Sequence, residues 1–240
     1  ARGAYHCRLL SYIGGKIGDK MVGSVGDAAI FSFNYDKPIS LGGGGALLLN
    51  NYSLQTISSL GVAAKPSIKQ EIDEIDAFIS YLREHRDNIP KINFLWRVYR
   101  KMEPLKRPAI GEIGSFRATL GLWQLNYYKN IISIRNKNAE TVAQAPNIKS
   151  WYVGTGVAPA WLKQKILPSN PQQSKNISNK LRRMGIRVGN YNWSVTIDRM
   201  LGLKESPNAA YVANYSLEIP IHQNMREDDL GLIKKEISES

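Results

Sequence analysis

Lys37 stands between two apolar runs, immediately before Pro38. Ala28 to Phe33 precedes it, and Ala46 to Leu49 follows a row of four glycines, Gly42 to Gly45. A residue before proline is confined to extended backbone values, so its Cα is held while its side chain can swing. A lysine placed in a partly dry pocket becomes a usable amine nucleophile. Carbonyl compounds form Schiff bases with such an amine, and pyridoxal 5'-phosphate (PLP) is the commonest cofactor of that kind. The glycines let bare backbone approach a ligand. Ser32, five residues before the lysine, offers a hydroxyl to a phosphate. The same residues also describe a solvated lysine at a strand end beside a glycine loop, and on residue types alone both readings stand.

The whole chain sets the setting for that lysine. Its 240 residues suffice for one large domain or two small ones, and 43% hydrophobic with 22% charged residues is an ordinary globular balance. One cysteine, Cys7, gives no internal disulfide and no multi-cysteine zinc site, and we read it as a small buried apolar group. His6, His85 and His222 lie far apart, so no metal is expected. No apolar run reaches the roughly 18 residues of a membrane span, and no long apolar stretch follows Arg2 as a signal peptide requires. The cytoplasm is the expected location. The net charge of +12 points to anionic partners. The basic residues are dispersed and no nucleic-acid motif accompanies them, so a phosphorylated cofactor or nucleotide-linked substrate is expected rather than nucleic acid.

Elements that must position the lysine can be read around it. Residues 28–33 and 45–50 are expected as strands. In "KPSIKQEIDEIDAFISYL", Ser67 and Gln70 form a capping-box pattern, and Ile68, Ile72, Ile75, Ile79 and Leu82 make one apolar face. "SFRATLGLWQLNYYKNIISIRNK" is expected as one long helix from about Ser115, with Phe116, Leu120, Trp123 and Ile131 in the core. Residues 161–167 and "IRVG" are expected as strands. "SKNISNKLRRMG" is expected as a helix capped by Ser174, with Ile177, Leu181 and Met184 inward and Gly185 at its end. "REDDLGLIKKEI" is a terminal amphipathic helix with acids first and lysines last. Strands alternating with helices make an α/β protein.

"GSVGDAAIFSFNYDKPISLGGGGALLLNN" resembles the lysine segment of the DegT–StrS family of PLP-dependent sugar aminotransferases. That segment reads G-S-x-G-D-A-A-x-F-S-F-H-x-x-K-x-x-x-x-G-E-G-G. Gly23, Ser24, Gly26, Asp27, Ala28, Ala29, Phe31, Ser32, Phe33, Lys37, Gly42, Gly44 and Gly45 fall in register without a gap. "RATLGLWQL", "LRRMGIRVGNYNW" and "LEIPIHQNMREDDLGLIKKEI" are similar to later family segments, in the family's order. The resemblance covers the later two-thirds of a typical member. It implies a partial PLP-transferase fold type I large domain with a mostly parallel sheet, over 1–130, and a small C-terminal α/β domain over 131–240. It implies that Lys37 is the Schiff-base lysine and that Ser32 contacts the cofactor phosphate. Relatives that dehydrate carry histidine in place of this lysine, so Lys37 implies transamination of a nucleotide-linked keto-sugar, with glutamate as the expected amino donor. His222 matches a family position read as structural.

Asn190, Tyr191 and Trp193 follow a predicted strand and are candidate substrate-pocket residues, Trp193 equally a packing residue of the small domain. Asp36 is either a charge that tunes Lys37 or a turn residue. The resemblance further implies a homodimer. It also places the phosphate loop, a ring-stacking aromatic and an aspartate for the pyridine nitrogen ahead of Ala1, in a preceding segment or a companion chain. Asn34 stands where the family has histidine and Gly43 where it has glutamate. "KRPAIGEIG" lacks the asparagine a neighbouring subunit lends, leaving Lys106 and Arg107 as candidate anion contacts or as surface charges. The alternative to an enzyme is a catalytically inactive truncated relative that serves as a partner subunit or binds an anionic ligand.

Overall fold

The computed structural model describes residues 7–10, 13–34, 37–50, 65–84, 112–146, 148–150, 154–190 and 196–240. In chain order the elements are β1 (Cys7–Leu10), β2 (Lys16–Ile17), β3 (Lys20–Met21), β4 (Ala28–Ser32), β5 (Gly45–Leu49), α1 (Ile68–Glu84), α2 (Ser115–Asn126) and α3 (Tyr128–Ala143). There follow β6 (Ile148–Ser150), β7 (Val157–Ala158), β8 (Lys163–Pro168), α4 (Pro171–Arg183), β9 (Gly189–Asn190), α5 (Ile197–Met200), α6 (Pro207–Tyr215), β10 (Leu217–Pro220) and α7 (Glu227–Ser238). The chain divides into two compact units, one of residues 1–9 and 26–126, the other of residues 10–25 and 127–240.

The first unit holds a sheet in the order β1-β4-β5. β4 and β5 run antiparallel, with Ala28 opposite Leu49 and Ser32 opposite Gly45. The short connection between them needs no crossover helix, which is why this pair departs from the parallel arrangement expected for most of the sheet. α1 begins on the expected capping box: the Ser67 N–H donates to Gln70 Oε1 at 2.8 Å, and the Gln70 N–H to Ser67 Oγ at 3.3 Å. The buried face of α1 is not the expected one. Ile68 and Ile72 are exposed, and Glu71 is fully buried. Its carboxylate accepts from the Phe116 N–H (3.0 Å) and the Arg117 N–H (3.3 Å) in the first turn of α2. Helix N-termini present unsatisfied donors, so a carboxylate there is stabilised by hydrogen bonding and by the helix dipole. Gly114 is obligatory beside it, since a Cβ would collide with that carboxyl group. The side chains of Ile79 and Leu82 lie outside the described residues.

The long helix expected from Ser115 is two helices. The chain breaks at Tyr127 (φ −99°, ψ 6°), at the boundary between the units. Phe116 and Trp123 are exposed, Trp123 by 58%, while Ile131 is buried.

The second unit carries an antiparallel sheet in the order β6-β8-β10-β9. Leu217 and Ile219 of β10 face a core shared with Ile166, with Ala139 and Val142 of α3, Ile177 and Leu181 of α4, and Leu230, Ile233 and Ile237 of α7. On the opposite face, Glu218 is buried between Lys163 (2.7 Å) and Lys165 (3.8 Å). Burial holds the Lys165 ammonium below the usual lysine range, against the attraction of Glu218. α4 starts three residues earlier than Ser174. Asn170 is its N-cap, accepting from the Gln173 N–H at 2.8 Å, with Pro171 at the first helical position. Ser174 is buried and donates to the Tyr215 carbonyl at 2.9 Å. Met184 is exposed at the C-terminal cap rather than inward, and Gly185 ends the helix with φ 77° as expected. α7 has Glu227, Asp228 and Asp229 in its first turn and Lys235 in its last. A separate small sheet, β3-β2-β7, completes this unit. Among the described residues no helix is long and apolar enough to cross a membrane.

Candidate active site

Lys37 lies in the loop that joins β4 to β5, and Phe33 closes that loop on itself. The Phe33 N–H donates to the Gly44 carbonyl at 3.0 Å, and the Leu41 N–H to the Phe33 carbonyl at 2.9 Å. Inside this base the Lys37 N–H donates to the Asn34 carbonyl at 2.9 Å, and Pro38, Ile39 and Leu41 are buried. Their apolar burial pins the loop, and Lys37 is half-buried. The return to β5 passes through Gly42, Gly43 and Gly44, with φ of 72°, 152° and 82°. Residues with a Cβ rarely take such values. At Gly45 a Cβ would collide with the Phe31 carbonyl. The four glycines are therefore the way back from the lysine into the sheet.

Ser32 ends β4 at the base of the same loop, and its Oγ accepts from the Asn34 N–H at 3.4 Å. Lys37 and Ser32 are thus brought into one closed loop. Asn190 lies in β9 of the second unit, opposite Leu217. Tyr191, Trp193, Asp36, Lys106 and Arg107 lie outside the described residues. His222 is exposed, and its carbonyl accepts from Asn138 Nδ2 at 3.1 Å and from the Met225 N–H at 3.1 Å.

Three residues that hold the lysine loop carried no separate signal in the sequence. Gln124 of α2 accepts from the Ser40 N–H and donates to the Ser40 carbonyl, both at 2.9 Å. Arg117 Nε donates to the Leu41 carbonyl at 3.1 Å, and its guanidinium pairs with Glu74 at 2.8 Å. Gly121 leaves room for Leu41, whose Cδ1 would lie 3.2 Å from an added Cβ. All three fall within "RATLGLWQL", and only that shared motif could have pointed to them.

The fold is part of fold type I. Residues 11–79 match the model of the DegT/DnrJ/EryC1/StrS aminotransferase family, which includes the whole lysine loop. Among solved structures, the chain is similar to the PMP form of Spr1654 from Streptococcus pneumoniae (TM-score 0.67, 15% identity, 98% of this chain and 56% of that one). It is similar to the Escherichia coli GDP-4-keto-6-deoxy-D-mannose-3-dehydratase with bound hydrated PLP (0.65, 18%, 98% and 61%). It is also similar to Helicobacter pylori PseC, an aminotransferase of pseudoaminic acid biosynthesis (0.64, 17%, 98% and 59%). The chain thus spans little more than half the length of these proteins. No curated protein sequence matches it.

Proposed function

We propose that this chain is the lysine-bearing part of a PLP-dependent aminotransferase acting on a nucleotide-linked keto-sugar. The observation that carries the reading is Lys37 itself, half-buried in a loop closed at Phe33 and returned to the sheet by glycines. A dehydratase and an aminotransferase are both among the similar structures, so the fold does not choose the reaction. The amine at position 37 favours transfer.

The loop fits the cofactor in its chemistry, offering an amine for a carbonyl and a hydroxyl five residues away for a phosphate. When bound, PLP supplies an electron sink that lets a proton leave the carbon bearing the amine. Lys37 would hold it through Nζ, and Ser32 would bind its phosphate through Oγ. Lys37 Nζ would then be the base that takes a proton from the substrate carbon and the acid that gives it back. The Lys37 N–H is committed to the Asn34 carbonyl, which holds the backbone at the lysine.

We assign residues 1–130 to the PLP-binding domain and 131–240 to the smaller domain, with Asn190, Tyr191 and Trp193 toward the sugar. The excess of basic residues suits a diphosphate-linked substrate. Glutamate is the proposed amino donor, the cytoplasm the location, and a homodimer the working form. A companion chain is proposed to complete the cofactor site.

The test is an absorbance titration with PLP, followed by borohydride reduction and peptide mass mapping. A visible band and a pyridoxyl adduct at Lys37, lost in Lys37→Ala, are expected. Folded protein with no adduct at Lys37 would overturn the reading.

A further inference from the structure

We infer that Gln124 is a positioning residue for Lys37, with Arg117 and Gly121 completing the seat. The inference rests on the proposed role of Lys37. The loop is closed at its base by Phe33, but its far limb is gripped from outside by α2. One carboxamide satisfies both the N–H and the carbonyl of Ser40, at 2.9 Å each, from 84 residues away. That task needs a donor and an acceptor on separate atoms of one side-chain end, which asparagine and glutamine alone carry in neutral form at every pH. Only Pro38 and Ile39 separate Ser40 from Lys37. Both are buried, the proline has a fixed φ, and the residue before it is restricted in ψ. Fixing Ser40 therefore fixes the lysine Cα. Arg117 adds a second tether at the Leu41 carbonyl (3.1 Å), and Gly121 lets Leu41 seat against the helix. α2 has its own anchor in the Glu71 carboxylate, so the glutamine is not required to dock the helix.

Two variants decide the point. Gln124→Met keeps the volume and the helix propensity and removes both bonds. Gln124→Glu cannot donate to the Ser40 carbonyl while ionised, but regains one donor and one acceptor when protonated. Amide exchange at Ser40, expressed as protection, and trace acetylation of Lys37 relative to Lys234 are read on the full chain, with the unfolding midpoint as a check on folding. Gln124→Met is expected to lower Ser40 protection by about thirtyfold, the equivalent of two lost hydrogen bonds. It is also expected to raise Lys37 acetylation relative to Lys234, and to slow pyridoxyl adduct formation by about tenfold. Gln124→Glu keeps the acceptor for the Ser40 N–H and loses only the donor while ionised, so it should lower Ser40 protection by about fivefold at neutral pH and recover it on acidification toward the carboxyl pKa, whereas Gln124→Met should not. A merely structural role leaves Lys37 acetylation relative to Lys234 unmoved in Gln124→Met. Wild-type protection and wild-type Lys37 acetylation in folded Gln124→Met overturn the inference. Absence of a pyridoxyl adduct in the wild type overturns the cofactor reading instead, and exchange and acetylation still decide the seat.

Discussion

Glu71 and Ile72 are neighbours in sequence, and the helix buries the acid and exposes the isoleucine. Periodicity scores side chains by hydrophobicity and so rotates the buried face of α1 toward Ile68 and Ile72. What outweighs it is the cost of leaving the first N–H groups of α2 unpaired inside the protein. That cost arises between elements far apart in the chain, and no local pattern reports it. The lysine was legible for the opposite reason. Lys37, Pro38 and the glycines are neighbours in sequence, so their constraints are written locally. Gln124 was not legible as a loop holder, because its partner Ser40 is 84 residues away. His222 supplies the test at this scale. Burial first, then the Arg135 cation, hold its ring below the usual histidine range, with Asp229 opposing. The folded ring therefore takes up its proton at a lower pH than the unfolded chain, which does so near pH 6.5. The stability it contributes is present above that pH and is lost as pH falls through it. The unfolding midpoint should fall on acidification from pH 8 to 5, and less steeply in His222→Gln. Parallel pH curves for the two proteins would remove His222 as a source.

Elements show where the sequence underdetermined the structure. Nothing in "QLNYYKNI" breaks a helix, since it contains neither proline nor glycine. The break at Tyr127 follows from the two units, one claiming α2 through the lysine loop and the other claiming α3 for its own core. The start of α4 was in plain view in "SNP", an asparagine cap followed by proline, but Ser174 with its apolar successors competed for the same role. β5 carries a liability that its residues announce. Its five residues, Gly45 to Leu49, hold no charge, and Leu47 and Leu48 are exposed along with Ile30 of β4. Among the described strands β5 is at the edge of its sheet. An uncharged apolar edge invites pairing with another chain. The 240-residue chain should therefore sediment as larger species with rising concentration, and Leu47→Lys should shift it toward monomer. No change in that variant would place the association elsewhere.

For the molecule as a whole, charge is the property the sequence states most directly. With 32 basic and 20 acidic residues the folded chain repels itself. Several of the pairs that offset this are exposed, as Lys137 with Glu227 is. Raising sodium chloride from low to physiological strength should screen the repulsion and raise the unfolding midpoint by about 2 to 4 °C, equivalent to about 1 kcal/mol. A fall instead would mean that ion pairs such as Lys163–Glu218 dominate the balance.

The clamp between Ser40 and Gln124 also has a meaning in time. A ribosome adds roughly 5 to 20 residues per second, so the 84 residues between the two take roughly 4 to 17 s to appear. Phe33 can close the lysine loop as soon as Gly44 has emerged, but the outside grip on its far limb must wait for α2. During that interval the nascent chain carries Lys37 on a loop that is shaped but not yet seated.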